Sequence, residues 1–130
     1  NFVYLAFGVE DPGPLLAAMR TMPNFRGLSV TIPHKLAVMA HLDEIDPMAA
    51  HVGSVNTVTH ENGRLIGSTT DGPGALRAFE EAGATLHGKR VLFLGTGGAT
   101  RAVAFAAAEM GGASAVTILG RTAANVDGLV

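Results

Sequence analysis

Leu28, Val30 and Ile32 alternate with Ser29 and Thr31, a period of two that predicts a half-buried strand. Pro33 closes that strand, because it has no N–H for a ladder and holds Ile32 extended. Leu36, Met39 and Leu42 then recur at helical spacing, so residues 35–42 are expected to form a helix with these three inward. Thr31 and Lys35 thus fall where a strand gives way to a helix, the edge at which open α/β sheets bind ligands. Upstream, residues 2–9 are apolar and β-prone and predict another strand. Asp11-Pro-Gly-Pro is a turn, with Pro14 suited to the first helical position. Leu15, Leu16, Met19 and Met22 follow at helical spacing up to Pro23-Asn24.

Downstream, Asp46-Pro47 is a cap followed by proline, and it opens a short helix that stops at Gly53. Residues 55–59 and 64–68 read as strands joined by Asn62-Gly63, a strong hairpin signal. Asp71-Gly-Pro-Gly opens a helix through Leu76 and Phe79 that ends near Gly83. Residues 91–94 are wholly apolar, as in a parallel sheet covered on both faces. A glycine-rich turn, an alanine-rich helix over residues 102–110 and a further strand over residues 115–119 follow. The pattern changes near residues 72–88, from a mixed α/β unit with a hairpin to a β-α-β unit. The expected division is residues 1–73 and 74–130.

Composition narrows the function classes. At 130 residues, 48% hydrophobic and 15% charged, the chain can bury a core and is not disordered. A net charge of −2 without a basic block gives no footing for nucleic acid or an anionic membrane. The absence of cysteine removes thiolate chemistry and disulfides. No apolar run reaches the roughly 20 residues that span a bilayer. A soluble cytoplasmic protein is the expectation. None of the five histidines has metal-ligand spacing, so no metal is expected, and His34 is read as solvated.

Two features point to chemistry. Lys35 is one of two lysines in a chain that otherwise uses arginine, and lysine can exchange a proton where arginine effectively cannot. Asp71, at a helix start, suits a cap or a dipole-stabilised carboxylate. Asn56 can donate and accept toward a polyol. The second feature is Gly95, Gly97 and Gly98 between a strand and a helix. There a pyrophosphate can approach the backbone and meet the helix N-terminus. Thr100 stands where the dinucleotide fingerprint has Gly or Ala. The next strand ends in Leu119-Gly120-Arg121-Thr122, with no carboxylate for a free ribose 2′-hydroxyl and an arginine suited to a 2′-phosphate.

Gly27–Lys35, Gly53-Ser-Val-Asn-Thr57, Thr70-Asp-Gly-Pro-Gly74, Gly95-Thr-Gly-Gly-Ala-Thr-Arg101 and Gly120-Arg-Thr122 together resemble shikimate dehydrogenases, over nearly the whole chain and in the same order. The resemblance implies an α/β protein: an N-terminal substrate domain, truncated at its start, then the first β-α-β unit of a Rossmann-type nucleotide-binding domain. It implies NADP as cofactor and reversible reduction of 3-dehydroshikimate to shikimate. It also implies Lys35 and Asp71 as the catalytic pair, Thr31, Asn56 and Thr70 at the substrate, and Gly95, Thr96, Gly97, Gly98, Ala99, Arg121 and Thr122 at the cofactor. The implied partner is a small-molecule substrate, with no nucleic acid and no membrane; homodimer formation by a longer protein stays open.

The sequence departs from the family pattern in several places. Ser29, Thr69 and Gly120 stand where asparagine is usual, and Asn125 stands where a basic residue often follows. The N-terminal Ser-x-Ser motif is not in the sequence, nor is the segment that returns to the substrate site, so the chain is expected to be a fragment. Relatives acting on quinate or aminoshikimate, the folate methylene dehydrogenases, and a non-catalytic sensor of shikimate or quinate are the competing readings.

Overall fold

The computed structural model describes residues 2–128. Its first helix, α1 (Pro12–Arg20), begins where the Asp11 carboxylate accepts a hydrogen bond from the Gly13 amide. Pro12 takes a first-turn position, where a missing N–H costs nothing. The helix therefore starts two residues before the expected Pro14. Leu16 and Met19 are buried, and Met22, beyond the helix end, is exposed.

Strand β1 (Gly27–Ser29) pairs antiparallel with β3 (Thr57–Glu61), which continues through the Asn62-Gly63 turn into antiparallel β4 (Arg64–Ser68). Both turn residues have positive φ, 51° and 81°, the backbone a two-residue hairpin requires. A two-residue strand, β2 (Glu44–Ile45), joins β4 in parallel and gives the order β1-β3-β4-β2. Register places Val58, His60, Leu65 and Gly67 on one face, and that face carries the core. Leu16, Val30, Val38, Ala49, Val55, Val58 and Leu65 form its centre. Helix α2 (Pro47–Val52) has the expected cap, with Asp46 Oδ1 accepting from the Ala49 amide, and stops at a left-handed Gly53.

Several expectations are corrected here. Residues 2–9 form no strand, although their composition favours one: no neighbour offers them a ladder, and Phe2, Val3 and Tyr4 are more than 80% exposed. The ladder of the next strand covers only Gly27–Ser29, although Val30 still donates its N–H to the Asn56 carbonyl at 2.7 Å. Ile32 is exposed. Residues 32–36 are turn, and Ala37–His41 is a 3₁₀ helix that buries Val38 and leaves Leu36 outside. A three-residue repeat brings Val38, between the expected inward positions, onto the core.

Helix α3 (Asp71–Glu81) follows β4 and spans the position at which the division is expected. Strand β5 (Arg90–Leu94), helix α4 (Gly98–Glu109) and strand β6 (Ala115–Leu119) form a β-α-β unit with parallel strands, followed by α5 (Ala123–Asp127). Helix α4 covers one face of this pair. Leu92, Leu94 and Leu119 on the other face are exposed, against the expectation of cover on both sides. Helix α4 packs against both α3 and α2. Gly72 of α3 lies so near it that an added Cβ would come within 2.6 Å of the Ala102 carbonyl oxygen and 2.8 Å of Ala106 Cβ. Its Phe105 ring sits 5.3 Å from that of His51 in α2. Among the described residues, no helix is long and apolar enough to cross a membrane.

Candidate active site

The segment between α2 and β3 brings the site together. After Gly53 the chain runs through Ser54 and Val55, both buried, and the Val55 amide donates to the Lys35 carbonyl at 2.9 Å. That bond fixes the Lys35 backbone beside Asn56. From there Lys35 Nζ reaches Asp71 Oδ2 at 2.5 Å, with side chains only 15% and 25% exposed. Asp71 sits at the first position of α3, where the free N–H groups and the dipole favour a negative charge.

Asn56 completes the cluster. Its Nδ2 donates to Asp71 Oδ1 at 2.7 Å and to Thr70 Oγ1 at 3.0 Å. Its Oδ1 accepts from the Thr70 amide at 3.0 Å and from Thr57 Oγ1 at 3.0 Å. The Thr70 amide can only donate, so the Asn56 side chain has one orientation, with its NH₂ toward the carboxylate. Asp71 thus accepts from a lysine on one oxygen and an amide on the other. Thr57, which the sequence reading did not single out, helps to lock Asn56; its place beside Asn56 in the quoted motif was the available signal. Thr31 is exposed and lies one residue after Val30, whose N–H is bonded to the Asn56 carbonyl. His34 is half-buried, not solvated: its Nε2 donates to the Val9 carbonyl at 2.9 Å and ties down the N-terminal segment.

At the C-terminal ends of β5 and β6 lies an open cavity of about 620 Å³. Gly95, Thr96, Gly97, Arg121, Thr122 and Asn125 line it, and no carboxylate does. The Gly95 amide donates to the Leu119 carbonyl at 2.8 Å, so the turn leaves the sheet only after Gly95. Arg121 is exposed and, among the described residues, has no ion-pair partner. A cationic side chain with no carboxylate beside it suits a phosphate group better than a free hydroxyl, so the residues present fit NADP. Gly98 and Ala99 lie in the first turn of α4, outside this lining. At Gly120 a Cβ would come within 2.6 Å of Thr96 Cγ2 and 2.7 Å of Val126 Cγ2, so a side chain there needs those two to shift. Among the described residues, no three His, Asp or Glu side chains gather as a metal site.

A lysine held by a carboxylate in one α/β unit, followed by a glycine turn in a parallel β-α-β unit, defines an α/β protein with a Rossmann-type second unit. The sequence profile of the shikimate dehydrogenase substrate binding domain matches residues 1–58. A curated shikimate dehydrogenase (NADP(+)) of Moorella thermoacetica is 52% identical over 118 residues, covering 89% of this chain and 40% of the relative. The structure of the Thermus thermophilus shikimate 5-dehydrogenase in complex with NADP(H) and shikimate superposes with a TM-score of 0.82 at 41% identity, over 95% of this chain and 45% of that one. The Listeria monocytogenes enzyme, in complex with shikimate and NAD, gives a TM-score of 0.87 at 39% identity, over 98% of this chain and 45% of that one. The chain belongs to the shikimate dehydrogenase family, and it spans less than half the length of these relatives.

Proposed function

We propose that this chain is the catalytic part of an NADP-dependent shikimate dehydrogenase, which reversibly reduces 3-dehydroshikimate to shikimate in the cytoplasm. In this reading residues 1–73 hold the substrate and residues 74–130 begin the nucleotide-binding domain. The observation that carries it is the Lys35–Asp71 contact at 2.5 Å with Asn56 on the other carboxylate oxygen. NADPH held at the glycine turn would supply hydride to the carbonyl carbon. Lys35 gives its Nζ proton to the carbonyl oxygen as that hydride arrives, so no free alkoxide forms, and the neutral amine is left beside Asp71. In the reverse direction Lys35 takes the hydroxyl proton. Asp71 keeps the ammonium placed, and Thr31, Asn56 and Thr70 face the substrate hydroxyls. Gly95, Thr96 and Gly97 receive the pyrophosphate with the first turn of α4, Gly98 and Ala99, while Arg121 and Thr122 meet the 2′-phosphate.

The test is loss of NADPH absorbance when the full-length protein meets 3-dehydroshikimate, with 3-dehydroquinate as competitor substrate. Turnover of 3-dehydroshikimate with the higher kcat/KM supports the reading. Preference for 3-dehydroquinate assigns the protein to the quinate relatives. Tight shikimate binding without turnover makes it a sensor.

A further inference from the structure

The three glycines of the turn after β5 are glycines for different physical reasons. Gly95 has φ of 116°, a backbone that side chains rarely adopt. Gly97 has an ordinary φ of −76°, and a Cβ there would meet nothing within 4 Å, so it faces open space where an anion can approach. Gly98 has a helical backbone that any residue accepts, yet it faces protein. A Cβ on Gly98 would lie 2.8 Å from Ser54 Oγ and 3.4 Å from both Cβ and Cδ of Lys35.

We propose that Gly98 is a positioning residue for Lys35: its bare Cα lets the first turn of α4 seat on the lysine stem and on Ser54, and so sets the ammonium against the nucleotide turn. The proposal rests on the reading of Lys35 as the proton donor. Both neighbours of Gly98 are held. Ser54 is 1% exposed, and Lys35 is tied to the same segment through the Val55 amide. The Ser54 hydroxyl is buried and makes no protein hydrogen bond, and its oxygen lies directly beneath Gly98. A methyl group on Gly98 would touch the Lys35 stem at ordinary contact distance and strike Ser54 Oγ, so the buried Ser54 segment that carries Lys35, or α4 itself, must shift. Either shift separates the proton donor from the place where hydride is delivered, and misplacement of about 1 Å can cost roughly a hundredfold in rate.

The experiment compares wild type, Gly98→Ala, Ser54→Ala and the double variant in the full-length protein. Gly98→Ala is expected to lower kcat by about ten- to a hundred-fold. Its dissociation constant for NADP, measured by fluorescence titration without substrate, is expected to change by less than about threefold, because the added methyl points away from the open side of the turn. Ser54→Ala removes the oxygen that the methyl would strike, so the double variant recovers kcat, while Ser54→Ala alone stays near wild type. The proposal is overturned if Gly98→Ala keeps its kcat, or if the loss lies in NADP affinity and Ser54→Ala does not restore it; Gly98 then serves the phosphate. Thermal unfolding of the same proteins tests the contact separately from turnover. Gly98→Ala should lower Tm and Ser54→Ala should restore part of the loss, even if the wild type proves inactive; simple additivity overturns the contact. If Gly98→Ala alone does not fold, folding of the double variant is the supporting result, and failure of both overturns it.

Discussion

Asp71→Asn is a sharper probe of the site than removal of charge alone suggests. The carboxylate accepts Lys35 Nζ on one oxygen and Asn56 Nδ2 on the other. An asparagine offers one oxygen and one NH₂, so one of these donors must face another donor. Asn56 cannot turn over to relieve this, because its own oxygen is held by the Thr70 amide and Thr57. Losing one charged hydrogen bond costs about 1.5–3 kcal/mol. If that loss falls on the placement of Lys35 in the transition state, kcat drops about ten- to a hundred-fold, at roughly 1.4 kcal/mol per decade. Lys35→Ala removes the proton donor itself and should lower kcat by about 10²–10⁴, with a much smaller change in KM. Asp71 acts through Lys35, so the double variant should be little worse than Lys35→Ala. The assay is steady-state reduction of 3-dehydroshikimate by the full-length protein at saturating NADPH. If the two losses multiply, Asp71 and Lys35 act independently and the pair drawn here is wrong. A Lys35→Ala enzyme with normal kcat and raised KM would make the lysine a binding residue.

Two further outcomes are expected. Arg121→Ala in the full-length protein should weaken NADP by about ten- to a hundred-fold, the worth of a charged hydrogen bond, and leave NAD nearly unchanged; an unaltered ratio of kcat/KM for the two cofactors would remove Arg121 from the 2′-phosphate. Asp43 lies outside the site, and its carboxyl is held below the ordinary value of 3.8, first by the Leu65 amide at 2.7 Å and then by the Arg20 guanidinium. Its stabilising contribution is complete above that ordinary value and fades as pH falls through the depressed folded-state value. Asp43→Asn should therefore flatten the acid limb of Tm against pH, and an acid limb identical to wild type would refute the assignment.

Elements specified by a few adjacent residues could be read from the sequence. The Asn62-Gly63 hairpin follows from two residues that tolerate positive φ, and α2 from an Asp-Pro start and a glycine stop. The glycine turn between β5 and α4 was legible for the same reason. The candidate site residues lie in motifs that the sequence displays in order, and the structure brings Lys35, Asn56, Thr70 and Asp71 into one hydrogen-bonded cluster.

What depended on distant partners was not legible. Residues 2–9 have a strand's composition, but a strand exists only where another chain segment offers a ladder. Strand β2 is two residues long and is fixed by β4, some 20 residues away, so no local pattern announces it. The spacing after Pro33 predicted a helix with Leu36 inward; packing against the core selected a 3₁₀ turn with Val38 inward instead. The glycine pattern says nothing of what lies behind Gly98, where a Cβ would strike Ser54 and touch the Lys35 stem, residues 44 and 63 positions earlier. Sequence by itself determined the caps and turns that a few adjacent residues specify, and the kinds of chemistry available. Only tertiary packing decided which strand found a partner and which side of each glycine was open, because those depend on atoms that the chain brings together from far apart.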